Sequence, residues 1–155
     1  NGHGILMTYL GADGAASDLL HMVAGGSKEP IRADNVNSPS RDIVMKGPEL
    51  FKRAVLVFGE AIQKALDETG LTVDDIALFI PHQANTRIIQ TAADRMKIPA
   101  EKVYMNMDKV ANTTAGSIPL ALSQAVEEGR VKKGDYVLLA SFGAGLTWGS
   151  AMIRW

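Results

Sequence analysis

The 155-residue sequence contains no cysteine. That excludes disulfides, thiolate metal sites and a cysteine nucleophile within these residues. No apolar run approaches the ~20 residues that a membrane-spanning helix needs. No charge of one sign dominates: 16 Lys and Arg stand against 17 Asp and Glu, a net charge of -1. Neither a global field nor a basic tail therefore favours nucleic acid. A secretory signal pattern is missing. His3, His21 and His82 show no ligand spacing, and no H-E-x-x-H occurs, which argues against a metal centre. There is no G-x-x-x-x-G-K-[ST], no G-x-G-x-x-G opening a helix and no G-x-S-x-G. What is present is ordinary for a soluble globular domain: 46% hydrophobic and 21% charged residues, in a chain long enough for a core. The sequence begins Asn-Gly-His without an initiator methionine, which leads us to expect a piece of a longer protein.

"GILMTYLGADG" (4–14) is an apolar run closed by a glycine turn and is expected to be a strand with its exit. Residues 15–46 are rich in turn formers and weakly periodic, a connection or flap too long to be idle. From 47 to 70, Leu50, Ala54, Val57, Phe58, Ala61, Ile62, Ala65 and Leu66 recur at helical spacing. Pro48 lies in the first turn and Gly70 closes the helix. "DIALFI" (75–80) predicts a buried strand, 85–96 a second helix, "KVYMN" (102–106) a strand and 114–129 a third helix. "DYVLLASF" (135–142) and "LTWGSAMIRW" (146–155) predict two strands joined by the turn "GAG" (143–145), an antiparallel pair at one edge. The alternation predicts an α/β fold: a mostly parallel sheet with helices on its faces. Residues 1–46 would form a boundary strand and flap, and 47–155 the α/β unit.

Ligands of such sheets gather at the carboxyl ends of strands. Three segments lie there: "PHQAN" (81–85), "VANTT" (110–114) and "FGAG" (142–145). His82 just before a helix start should be a neutral ring, able to donate from one nitrogen. Asn112 offers an N–H donor that never ionises. Aimed at one point, the two would make a hole for an enolate oxygen. By residue type alone the ordinary uses stay open: a strand-end histidine satisfied by a carbonyl, and a helix-capping asparagine. The "GAG" turn could likewise be a plain strand connection or a backbone anion cradle.

Taken together, "PHQANTRII", "VANTTAGSIPLAL" and "SFGAGLTWGSAMIRW", in this order, resemble the carboxyl-terminal half of β-ketoacyl-acyl-carrier-protein synthase III. "GILMTYLGADG" and "IVMKGPELFKRAV" resemble it too, so the likeness covers essentially the whole chain. The resemblance implies the thiolase fold, in which two similar halves build an αβαβα sandwich within a homodimer. It implies a condensing acyltransferase that starts fatty acid synthesis in the cytoplasm, with acyl-CoA and malonyl-acyl-carrier protein as substrates and no cofactor. His82 and Asn112 match the family's catalytic histidine and asparagine. Phe142 matches a ring near the reacting carboxylate. Gly143, Ala144 and Gly145 match the turn whose backbone N–H completes the acyl oxyanion hole, and Ala144 stands where many members have glycine. Asn85 matches a residue supporting the site. Met45 and Phe51 match residues of the acyl pocket or its entrance, for which plain core packing is the ordinary alternative.

The resemblance also implies a basic face for the acidic carrier protein at Lys52, Arg87 and Arg95, diluted by Asp94 where one branch has lysine. The nucleophilic cysteine and most of the adenine and pantetheine contacts would belong to an amino-terminal half preceding residue 1. Without that half the chain should be inactive. The competing expectations are a folded assembly module with no activity of its own, and a synthase of the same fold that makes polyketides or branched-chain starters.

Overall fold

The computed structural model describes residues 2–155; Asn1, the first residue of the expected flap unit, lies outside them. β1 (Gly4–Ala12) enters the sheet directly. The connection after it holds a 3-10 turn at Gly14–Leu19, β2 (Leu20–Met22), a second 3-10 turn at Pro39–Arg41 and β3 (Ile43–Met45). β2 and β3 pair antiparallel, so the expected flap is a small two-stranded hairpin with a long excursion at its tip. α1 (Gly47–Thr69) follows, with Pro48 in its first turn and Gly70 as its left-handed C-cap at φ 68°. Then come β4 (Ile76–Pro81), α2 (Thr86–Arg95), the short α3 (Met107–Val110), α4 (Ser117–Glu127), β5 (Tyr136–Gly143) and β6 (Thr147–Arg154). No helix among the described residues is long and apolar enough to cross a membrane.

The main sheet has the order β1-β6-β5-β4. β4 and β5 are parallel, while β6 runs antiparallel to both β5 and β1. Three of the four strands therefore point the same way and β6 alone is reversed. The final hairpin is antiparallel as expected, but it does not lie at the edge, because β1 pairs along the outer side of β6. The expected strand at 102–106 reduces to one parallel bridge, Val103 to Phe79. A 3-10 turn at Ala100–Lys102 precedes it, and the buried amide of Gln83 then replaces the ladder: Nε2 donates to Tyr104 O at 3.1 Å and Oε1 accepts from Asn106 N–H at 3.1 Å.

Alternation along the strands sorts side chains to two faces. Phe79, Leu138, Ala140, Phe142 and Met152 pack with Phe58, Ile62 and Leu66 of α1 and Ala92 and Ala93 of α2. Leu78, Ile80 and Val137 pack instead with Ala121 and Ala125 of α4. Each fully buried Phe or Ile contributes about 1.5–3 kcal/mol, so α1 is held chiefly by its apolar stripe. α4 covers only part of its face. The remainder is a shallow concavity of about 470 Å³ lined by Leu10, Ile118, Leu139, Thr147 and Ala151, among others.

Candidate active site

A cleft of about 690 Å³ opens at the carboxyl ends of β4 and β5. Its walls come from five places in the sequence. The flap supplies Leu20, Ile43 and Met45, and α1 supplies Gly47, Leu50 and Phe51. The β4–α2 junction supplies His82, Ala84, Asn85 and Ile88. The floor and far side are Asn112, Thr114, Ala115, Ser141, Phe142, Gly143 and Ala144. His82, Asn112, Phe142, Gly143, Ala144, Asn85, Met45 and Phe51 thus meet in one cavity, although they span residues 45–144.

His82 is held by backbone on both sides. Its N–H donates to Ala140 O at 2.8 Å, and its carbonyl accepts from Ala84 N–H at 2.9 Å. The ring is half-buried, with Nδ1 at 2.6 Å from Ser117 Oγ. Burial holds its pKa below the ordinary histidine value, so the ring is neutral near pH 7. The neutrality expected from the nearby helix terminus is present, and desolvation is its cause.

Asn112 is exposed on the cavity wall, and its Oδ1 accepts the Thr114 N–H at 2.9 Å. This local turn satisfies the oxygen end and leaves the NH₂ end as a donor. The backbone around it is unusual. Ala111 lies at φ 56°, ψ -160°, a region that is essentially glycine's, and Thr114 at φ 53°.

Asn85 is the N-cap of α2: its Oδ1 accepts from Arg87 N–H at 2.9 Å and Ile88 N–H at 3.3 Å. It shapes the cavity by fixing where α2 begins. The turn after Phe142 is anchored to the end of β1, since Asp13 and Leu146 exchange both backbone hydrogen bonds, at 2.9 and 3.0 Å. Thr147 Oγ1 also donates to Ala144 O at 3.1 Å. Gly145, at φ 137°, stands just outside the lining, and its dihedral suits only glycine.

Lys52, Arg87 and Arg95 are exposed on α1 and α2, which pack against each other. Arg87 is tied to the cavity mouth, with its guanidinium carbon 5.7 Å from the centre of the Phe51 ring. Lys52, Arg87 and Arg95 are all outside the cavity lining. Sequence reasoning missed Leu20 and Ile43 of the flap hairpin, Ser141, and the buried pair Gln83 and Ser117. Gln83 is fully satisfied, also donating to Pro81 O at 2.8 Å, and so locks the loop carrying His82. The amides flanking His82 in "PHQAN" were the available signal for it; nothing in the local sequence pointed to Ser117.

Residues 66–155 match the family model described as 3-oxoacyl-[acyl-carrier-protein (ACP)] synthase III C terminal. The chain is 49% identical over its whole length to the β-ketoacyl-[acyl-carrier-protein] synthase III of Caldanaerobacter subterraneus subsp. tengcongensis, of which it covers 47%. It is 48% identical over 152 residues to the protein of that name from Roseiflexus castenholzii, covering 98% of this chain and 46% of the relative. Among solved structures it resembles the synthase III of Thermus thermophilus. That likeness has a TM-score of 0.88 and 45% identity, over 100% of this chain and 47% of that one. The priming β-ketosynthase of the R1128 polyketide pathway superposes with a TM-score of 0.81 at 36% identity, over 97% of this chain and 45% of that one. The chain spans about half the length of the curated relatives it matches.

Proposed function

This chain belongs to the 3-oxoacyl-[acyl-carrier-protein] synthase III carboxyl-terminal family and has its thiolase-like α/β fold, and from that premise we propose that it is the carboxyl-terminal part of a decarboxylative condensing enzyme. In this reading it supplies the pair that stabilises the enolate of a malonyl thioester. The observation that carries the reading is that His82 and Asn112 line one cavity with their other ends occupied, Nδ1 by Ser117 and Oδ1 by Thr114 N–H. Nε2 and Nδ2 are left to act together.

The chemistry follows from charge. When the malonyl C–CO₂ bond breaks, its electron pair passes into the enolate and negative charge develops on the thioester oxygen. Two neutral fixed donors stabilise that charge more than they stabilise the ground-state carbonyl. Phe142, buried on the cavity floor, disfavours the carboxylate and favours leaving as neutral carbon dioxide. The enolate carbon then attacks an acyl thioester on a cysteine, whose thiolate leaves. This chain has no cysteine, so that nucleophile belongs to an amino-terminal half. Acyl-CoA, malonyl-acyl-carrier protein and a second copy of the enzyme are the partners of this reading, with no cofactor, and the cytoplasm its setting.

The test mixes this chain with the amino-terminal half of a relative and follows carbon dioxide release from malonyl-acyl-carrier protein. Condensation is expected with the wild-type chain, and His82→Ala should abolish most of it. Equal rates from the two would remove the donor assignment and leave the assembly-module reading.

A further inference from the structure

Ser117 is the first residue of α4, is 1% exposed and lies outside the cavity lining. Its hydroxyl oxygen touches two groups: His82 Nδ1 at 2.6 Å and the Gln83 backbone nitrogen at 3.3 Å. The second contact fixes the first. A backbone N–H can only donate, so Oγ accepts there and keeps its single proton to give elsewhere. Were Nδ1 protonated as well, Oγ would accept twice and its own proton would be buried without a partner, since no other acceptor for it is recorded among the described residues. A buried unpaired donor costs about 1–3 kcal/mol. The hydroxyl therefore donates to Nδ1, and the proton of the neutral ring sits on Nε2.

We infer that Ser117 is the positioning residue that sets the His82 tautomer, so that the nitrogen left for the cavity is always an N–H donor. The inference rests on the proposed enolate-stabilising role for its consequence, though not for its geometry. A ring without this partner divides between two tautomers, and the Nδ1–H form would present a lone pair to the developing oxyanion. The serine also ties two site segments together: α4, which follows directly on the Asn112 loop, and the β4–α2 junction that carries His82. One hydroxyl thus orients the ring and holds the two donor loops in register.

Two readouts test this separately. In the ¹⁵N-histidine-labelled chain, with His82 assigned by loss of its signals in His82→Gln, the ring nitrogens at neutral pH should report an unprotonated Nδ1 and a protonated Nε2. The reverse pattern overturns the inference whatever the activity. Ser117→Ala should add a population with Nδ1 protonated. With the amino-terminal half present, it should lower kcat for decarboxylation of malonyl-acyl-carrier protein about tenfold at unchanged KM, the loss expected for one hydrogen bond. Ser117→Cys, a near-isosteric weak donor, should recover part of both and replaces the alanine variant if that fails to fold. A Ser117→Ala protein with a pure Nε2–H ring and wild-type kcat rules the role out. If the wild-type pair releases no carbon dioxide while the ring is Nε2–H, the condensing reading fails and the tautomer assignment stands.

Discussion

The Asn112 side chain accepts the Thr114 N–H at 2.9 Å, and that bond occupies the oxygen end of the amide and leaves its NH₂ end as a donor. Aspartate in its place keeps the acceptor and the shape but replaces the NH₂ donor with a negative oxygen. Asn112→Asp should therefore fold normally and lose decarboxylation by about 10²–10³-fold, the usual cost of removing one oxyanion donor. Asn112→Ala should lose similarly and be less stable, because Thr114 N–H loses its partner. Unfolding curves and carbon dioxide release from malonyl-acyl-carrier protein, measured together, separate the two effects. An aspartate variant at wild-type rate would mean that Nδ2 does not meet the reacting oxygen.

Burial of His82 makes stability depend on pH. The unfolded ring takes a proton near its ordinary value of 6.5, and the folded ring resists until the pH is lower. Between those two values the unfolded state binds more protons, so this contribution is intact above about 6.5 and is lost as the pH falls through the window. Urea midpoints of the wild-type chain should fall faster on acidification through this range than those of His82→Gln. Parallel curves would show that the ring is not held neutral by its surroundings.

The clearest sequence signals were those with local causes. α1 carries its own punctuation in Pro48 and Gly70 and its own apolar stripe, and it forms where that pattern says. The two final strands were legible from their alternation, but the place of β1 was not, since pairing between residues 4–12 and 147–154 leaves no local trace. The strand expected at 102–106 failed for a similar reason. Beyond the Tyr104 N–H bond to Phe79 O, its hydrogen bonds are taken by Gln83, about twenty positions earlier in the chain, and a buried side chain substituting for a strand has no periodic signature. His82 and Asn112 stand in two motifs that the sequence offers at strand ends, and both line the cavity. Ser117 lies within the expected third helix, where a serine is unremarkable until the fold brings His82 to it.

Ala111 pays for its conformation. At φ 56°, ψ -160° an alanine carries strain of roughly 1–3 kcal/mol, and its side chain is exposed, so little packing offsets that cost. Glycine adopts these angles freely but adds about 0.5–1 kcal/mol of unfolded-state entropy. Ala111→Gly should thus be stabilising by roughly 1 kcal/mol in urea unfolding. If stability stays level or falls, the strain at this position is smaller than its dihedrals imply.

Arg87 lies between the cavity and the outer face. Its stacking on Phe51 fixes a positive charge beside the cavity, where in the proposed reading an acidic carrier would arrive. Arg87→Glu in the reassembled enzyme should raise KM for malonyl-acyl-carrier protein several-fold, with kcat little changed. The defect should shrink as salt rises, because the interaction is screened within about 10 Å at 0.1 M. Exposed Lys52 and Arg95, without such stacking, should give smaller effects. A change in kcat alone would place Arg87 in the chemistry instead of in docking.

The uncovered sheet face makes the last prediction. Leu10 is 84% exposed beside a concavity of about 470 Å³ whose lining includes Ile118, Leu139 and Ala151. An apolar patch of this kind on a monomer marks an interface. The chain covers 47% of one relative, so in the proposed reading the occupant is an amino-terminal half of the kind that relative's remaining length would supply. The isolated chain should therefore bind an environment-sensitive apolar dye and lose that signal when the amino-terminal half is added. Leu10→Asp should weaken the association at least tenfold, since burying one leucine contributes about 1.5–3 kcal/mol and a buried carboxylate adds a penalty. A strictly monomeric wild-type chain that binds no dye, or a Leu10→Asp chain that associates as tightly as wild type, would mean that this face stays open to solvent.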